Sequence, residues 1–534
     1  VNGSSLFSKT EVTCKVLYWV ACAILILCYF DAESYHLING SDGYLTFHID
    51  DFYYYLITAK NIVLHGSSTF DGITVTNGYH PLWMLMLLPL VAIAGGTGVT
   101  FFYLFLGLLL VLALYTAKLY WDIGSLLLPE SRWRHITTFI ASAFSIKLIF
   151  LGMETSIAIP IFLLVCRTML KMDVARKQDW FVLSLLCSGL IFSRLDTIVF
   201  VAIALLLLLV GYSKEVKKYL LQLLLGFIPV IVYLISNLFL FGSLFTVSSQ
   251  AKVLRTSFGI NEKLLRLVQT NVTFDLAVFV LIVMVAWQTR RLIANKGKKE
   301  ILLFSVLSYP MVYFVLYSLT SSWVTFPWYY FMIPMTLVAG SVLVLEKLGI
   351  SQRFPSVALL FFVVVAWFFC GRAIAAIPEA TTHFAMEPWS IYSQAKELKA
   401  FAKEHPGSYA MGDRAGLTSF VLDKPMLQLE GLVADRSFLK KIKEQRDLVT
   451  VLKEYRIRYY ITSVVDTLRL VPEKGYELEE PHQEQAGTYS PKMRGVFKSE
   501  PVYRYEPSQE DRRLAGKNDQ LFSTYVFDVT KEKP

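Results

Sequence analysis

Pro81-Leu82-Trp83-Met84-Leu85-Met86-Leu87-Leu88-Pro89-Leu90-Val91-Ala92-Ile93-Ala94 is the stretch on which the topology of this chain turns. It is apolar throughout, but at about 14 residues it is shorter than the ~20 needed to cross a bilayer as a helix. Longer apolar runs surround it: 16–30 before, then 100–121, 135–151, 155–171, 180–195, 197–212, 219–241, 272–289, 300–320, 328–345 and 354–371. A chain that is 55% hydrophobic and 17% charged, with mean hydropathy +0.49, is too apolar for a soluble domain. Composition and run length together predict an α-helical polytopic membrane protein.

Charge decides how 81–94 is placed. If it lies in the interface, Arg132/Arg134, Lys171/Arg176/Lys177, Lys214/Lys217/Lys218, Arg290/Arg291/Lys296/Lys298/Lys299 and Lys347/Arg353 all fall on one face. The positive-inside rule makes that face cytoplasmic. The expectation is therefore about eleven transmembrane helices with the N-terminus inside. Residues 1–376 form the membrane module, the first outer loop at 31–98 carries interfacial helices, and 377–534 form a soluble α/β domain outside. The same arrangement gathers Asp50/Asp51, Glu154, Arg194/Asp196, Lys252 and Trp328/Tyr329 on the outer face, although none of them was used to count loops.

The net charge of +9 is explained by these short basic loops, so no nucleic-acid partner is expected. The six cysteines, Cys14, Cys22, Cys28, Cys166, Cys187 and Cys370, lie in or beside apolar runs without metal-ligand spacing, which predicts neither a disulfide framework nor a zinc site. The first apolar run lacks a small-residue cleavage signature and reads as a retained helix. Beyond Ile377 the composition becomes mixed. Strands are expected at 408–411, 425–429 and 458–462, with helices over 389–405 and 439–455, an alternation that suggests some parallel pairing. Gly412-Asp413-Arg414-Ala415-Gly416 follows the first strand and reads as a structural turn or as an anion-binding one, although it lacks both the P-loop lysine and the dinucleotide fingerprint.

The first outer loop holds the densest chemistry: Phe47-His48-Ile49-Asp50-Asp51-Phe52-Tyr53-Tyr54-Tyr55, then Thr76-Asn77-Gly78-Tyr79-His80-Pro81. Adjacent carboxylates can be plain helix-capping residues. Set among aromatics beside a membrane span, one of them can instead be raised toward the range useful for proton transfer. Glu154, between two apolar runs, needs a partner or a task at that depth. Arg194 and Asp196 either pair with each other or offer the guanidinium to a phosphate. Lys252 ends a small, hydroxyl-rich loop suited to phosphate. Trp328 and Tyr329 read as an interfacial belt or a sugar platform, and His80 as a helix cap or a secondary site residue.

The Asp-Asp pair, Asn77-Gly78-Tyr79-His80-Pro81-Leu82-Trp83, Gly152-Met153-Glu154, Ser193-Arg194-Leu195-Asp196 and the loop from Phe241-Gly242-Ser243 to Ser248-Ser249-Gln250-Ala251-Lys252 resemble the pattern of bacterial GT-C glycosyltransferases. Within that superfamily they are most similar to the membrane arabinofuranosyltransferases of the mycobacterial cell wall and of type IV pilin decoration. The resemblance implies transfer of one sugar, arabinofuranose, from a polyprenyl-phosphate donor to a hydroxyl of a glycan or protein. The implied setting is the outer face of the bacterial inner (cytoplasmic) membrane, among membrane lipids. It carries the catalytic role to Asp50 or Asp51, Asp50 being preferred because it lies nearer the first membrane helix. Donor or substrate binding falls to Tyr53, His80, Glu154, Arg194, Asp196, Lys252, Trp328 and Tyr329. Some GT-C enzymes use a divalent cation and others none; without an Asp-x-Asp spacing no metal ligand is named. A lipid-linked sugar flippase, or a GT-C enzyme for mannose, is the alternative, although a transporter would favour inverted repeats around the bilayer midplane.

The charge argument makes a direct prediction. Cysteines introduced near Asn77 and near Gly98 should both react with a membrane-impermeant reagent from the outer face. Labelling near Gly98 from the cytoplasmic side alone would overturn the eleven-span arrangement.

Overall fold

The first apolar run grows into a helix of 36 residues, Gly3–Ile38, in a computed structural model that describes residues 3–129, 133–270, 272–348, 386–462, 469–471, 475–482, 486–506 and 523–532. Among these residues five helices are long and apolar enough to cross a membrane: Glu11–Ile38, Val99–Leu127, Phe274–Ala294, Lys298–Thr320 and Pro327–Leu345. The pair Leu220–Gly226 and Ile228–Phe241, bent by 45°, makes a sixth if it is one broken span. Arg134–Phe150, Thr155–Lys171, Lys177–Ser193 and Ile198–Gly211 are shorter helices packed within the bundle. Every expected run that falls on described residues is thus helical. Arg132, Arg353, the run 354–371, Cys370 and the 376/377 boundary lie outside them.

Pro81–Ala94 is a helix of 14 residues that starts on a proline and stops at Gly95, whose φ of 66° is left-handed. Its length of about 21 Å falls short of the ~30 Å hydrocarbon layer. It packs against the helix Asp50–His65. An aromatic core joins the two to the bundle. Phe52 stacks on Phe105 at 4.9 Å between centroids, and Trp83 meets Phe105 edge-on at 6.0 Å.

The C-terminal region carries a mixed sheet of β1 (Tyr409–Met411), β2 (Met426–Gln428), β3 (Tyr459–Ile461), β7 (Tyr503–Tyr505) and β8 (Thr524–Asp528), in the order β2-β1-β3-β8-β7. β1 runs parallel to both β2 and β3, while β8 is antiparallel to β3 and β7. The strands β4 (Arg469–Val471), β5 (Gly475–Glu480) and β6 (Met493–Phe497) form a second, antiparallel sheet. The three expected strands are present, and Met386–Glu404 is the expected first helix. The segment 439–455 differs from expectation. It is two helices, Arg436–Lys443 and Leu448–Glu454, because Gln445 takes a left-handed φ of 52° and Asp447 caps a new start by accepting from Thr450 N.

Two contacts seat this region on the segment that follows the first membrane helix. Lys60 Nζ meets Asp423 Oδ1 at 3.1 Å, and the Tyr392 hydroxyl donates to Asp42 Oδ2 at 2.7 Å. Between them the helix Ala415–Leu422 packs on Asp50–His65, so closely that a Cβ on Gly416 would stand 2.4 Å from the Asp50 carbonyl oxygen. Gly416→Ala should therefore force the two helices apart. A loss of about 1–3 kcal/mol, the usual cost of overpacking, should be read in thermal unfolding, with faster protease cleavage between the two regions.

Candidate active site

Asp50 and Asp51 open the helix Asp50–His65, where negative charge is favoured by the helix dipole. Their side chains diverge by about 100° and meet different surroundings. Asp50 reaches the N-terminus of Ala415–Leu422: its Oδ2 accepts from Gly416 N at 3.1 Å and its Oδ1 from Leu417 N at 2.7 Å. Burial pushes the Asp50 carboxyl up to about 7; the Leu417 N–H pulls the other way, and the charges of Asp413 and Asp51 add to the rise.

The charges of Asp51, Asp50, Asp413 and Glu480 also bear on Glu430. Gln428 Nε2 donates to Glu430 Oε2 at 2.8 Å, while Glu430 Oε1 is buried with no partner among the described residues. Burial first, and then these four carboxylates, hold the Glu430 carboxyl well above its ordinary range.

A second group of side chains is built at helix ends. Gly152, at φ 75°, turns the chain between Arg134–Phe150 and Thr155–Lys171. Its missing Cβ leaves room for His48, whose Nδ1 would otherwise lie 2.8 Å away. Two residues on, buried Glu154 takes Arg194 Nη1 on Oε1 at 2.5 Å and the Tyr55 hydroxyl on Oε2 at 3.1 Å. Arg194 comes from the break after Lys177–Ser193 and grips Asp196 in fork geometry, Nε to Oδ1 at 3.1 Å and Nη2 to Oδ2 at 2.8 Å. Burial alone would raise the Asp196 carboxyl, but the Arg194 guanidinium outweighs it and holds the group below its usual range. Arg194 thus lies between two carboxylates.

The guanidinium also stacks over the rings of Tyr329, at 5.3 Å, and Phe331, at 5.2 Å. The Tyr329 hydroxyl accepts from Lys252 Nζ at 2.8 Å, and Asp51 stands near enough for its charge to act on Tyr329. His80 Nε2 is 3.8 Å from Glu154 Oε1. Burial lowers His80 to about 4; Glu154 opposes this and Arg194 adds to it, so the imidazole is neutral at pH 7. Among the described residues no group of three or more His, Cys, Asp or Glu side chains is arranged to hold a metal ion.

Glu154, Arg194, Asp196, His80, Lys252 and Tyr329 therefore come together, with Asp51 at their edge. Trp328 adjoins them, stacked on Phe326 at 4.6 Å. Tyr53 lies apart: its hydroxyl donates to Leu45 O at 2.5 Å and its ring packs on Phe420. Sequence reasoning missed Tyr55, Glu430 and the buried pair of His48 Nε2 and Glu33 Oε1, 3.1 Å apart. For Tyr55 the one available signal was the period of the helix, which sets it one turn beyond Asp51.

No known protein family matches the chain, and no curated protein matches it in sequence. Solved structures do. The oligosaccharyltransferase AglB from Archaeoglobus fulgidus, solved with an inhibitory peptide and a dolichol-phosphate, superposes over 84% of this chain and 69% of its own, at 11% identity and a TM-score of 0.50. The two chains share a fold. At that identity the likeness concerns the fold alone. ArnT from Cupriavidus metallidurans in the apo state aligns over 87% of this chain and 95% of its own, at 14% identity and a TM-score of 0.47.

The geometry separates two classes of residue. Glu154→Gln takes the charge from the buried Arg194 pair, which should cost about 1–3 kcal/mol and lower the melting temperature. Lys252→Ala removes a cation whose hydrogen-bond partner is a phenol, and should leave the melting temperature nearly unchanged.

Proposed function

We propose that this multi-pass membrane protein is a glycosyltransferase moving a single sugar from a polyprenyl-phosphate donor to a hydroxyl of a glycan or protein. The reaction takes place at the outer face of a bacterial inner membrane. Arabinofuranose as the sugar rests on the motif resemblance. The observation that carries the reading is the hydrogen-bonded pair Lys252 and Tyr329, with the carboxylate Asp51 near enough for its charge to act on Tyr329. A base for the acceptor and a cation for the leaving phosphate are the two groups such a displacement needs. That AglB binds a dolichol-phosphate supports a lipid phosphate as the donor class.

In this reading Asp51 accepts the hydroxyl proton as the acceptor oxygen bonds to the anomeric carbon. The bond from that carbon to the phosphate oxygen breaks, and its electron pair leaves with the lipid phosphate. Lys252 offsets the negative charge that appears there, and Tyr329, polarised by Lys252, donates to a phosphate oxygen. Asp50 is a positioning residue, since both its oxygens are engaged by backbone N–H groups. Arg194, already balanced by Glu154 and Asp196, orients the Tyr329 ring. Trp328 and the neutral His80 line the sugar, and Tyr53 holds the helix that presents Asp51. The domain reading follows: residues 1–376 as the membrane module and 377–534 as an outer domain that closes over the first loop.

Purified protein incubated with a panel of polyprenyl-phosphate sugars should release lipid phosphate. Asp51→Asn should lower turnover by about 10²-fold or more, the scale of a positioned general base. Asp50→Asn should lose less turnover but more thermal stability, and Lys252→Ala should weaken donor use. Absence of release with every donor would sink the proposal; wild-type turnover in Asp51→Asn would move the base elsewhere.

A further inference from the structure

A cavity of about 220 Å³ lies where three segments far apart in sequence meet. Asn77 comes from the segment after the first membrane helix, Leu240, Ser243 and Gln250 from the stretch that joins Ile228–Phe241 to the short helix Val247–Val253, and Asp435 and Arg436 from the C-terminal region. We infer that this seam binds the headgroup of a zwitterionic membrane phospholipid, at a site separate from the one that holds Lys252 and independent of the transferase reading.

Three observations carry the assignment. The first is an unanswered donor. Asn77 is buried, and its Oδ1 accepts from Val247 N at 2.9 Å, yet its Nδ2 has no partner among the described residues. A buried amide donor without an acceptor is costly unless a ligand supplies one.

The second is charge. Arg436 is anchored through Nη1, which donates to Gly242 O at 2.6 Å, and lines the cavity beside Asp435, whose Oδ1 caps the next helix by accepting from Phe438 N at 2.7 Å. A guanidinium next to a carboxylate suits a head that carries a phosphate and an ammonium on one short linker.

The third is depth. Leu240 lies in the last turn of the second half of the broken apolar pair, Ile228–Phe241, and it and its chain neighbours are apolar and open: Phe239 is 82% exposed, Leu240 71% and Phe245 59%. The cavity is too small for acyl chains, but this surface can receive them at the level where a membrane helix ends.

The site faces away from the chemistry. Val247 and Gln250 line the cavity, whereas Lys252 stands about 200° further round the same short helix and bonds to Tyr329.

The test uses the full chain in detergent, stripped of lipid and titrated with dioleoylphosphatidylethanolamine under native mass spectrometry. One retained lipid per chain is expected. Arg436→Gln, at an exposed position, should weaken retention about tenfold, the loss of one charge-assisted contact. Asp435→Asn, which keeps an acceptor for Phe438 N, should shift preference from phosphatidylethanolamine toward phosphatidylglycerol. Equal retention by wild type and Arg436→Gln, equal retention of a diacylglycerol that lacks phosphate, or no retained lipid would each overturn the assignment. Competition by inorganic phosphate at the lipid's own affinity would reassign the cavity to free phosphate.

Discussion

A carboxylate held by two backbone N–H groups joins the two halves of this molecule. Asp50 sits at the start of its own helix and accepts from the start of another, Ala415–Leu422. Two helix N-termini converging on one carboxylate supply the positive potential that its burial beside Asp51 and Asp413 would otherwise deny it. The contact admits no side chain at residue 416, which is why a glycine stands there. Once Asp50 is fixed, the direction of Asp51 is fixed too, because the helix allows its neighbour only one bearing.

The second centre obeys a different constraint. Three charged side chains, buried Glu154 and Arg194 and half-buried Asp196, lie at the ends of three helices, and in a low-dielectric interior such groups are tolerated only when their geometry satisfies one another. The triad carries one net negative charge and fixes the breaks between Arg134–Phe150 and Thr155–Lys171 and between Lys177–Ser193 and Ile198–Gly211. Lys252 is held more lightly, through the Tyr329 hydroxyl and ring. Rigid charge beneath, and an adjustable cation above, is an arrangement in which the framework does not move when the cation changes partner.

Much of this was legible in the sequence, for a physical reason. Burial of a helix in a bilayer is a property of local composition, so the apolar runs announced themselves, as did strands bounded by turn residues such as Tyr409–Met411. The gathering of Glu154, Arg194 and Lys252 followed from counting loops. What stayed hidden depends on distance along the chain. Tyr55 and Glu154 are 99 residues apart, and nothing in the local pattern of either marks the other as a partner. The sequence left even whether Arg194 faces a phosphate or a carboxylate; the answer came from Glu154, 40 residues away. The segment 439–455 has the periodicity of one helix, but its break is set by Gln445 and by the capping of Asp447, short-range features that an averaged pattern smooths over.

The span between Asp50 and its two partners, 366 and 367 residues, also sets an order of assembly. A ribosome makes the helix Asp50–His65 early and the segment Ala415–Leu422 only after all the described membrane helices have emerged. Through that interval Asp50 has no N–H groups to accept from, and nothing fixes the bearing of Asp51. A chain cut short between Tyr329 and Ala415 would carry nearly every charged group of the site and still lack its clasp, so the geometry reports whether translation passed Leu417.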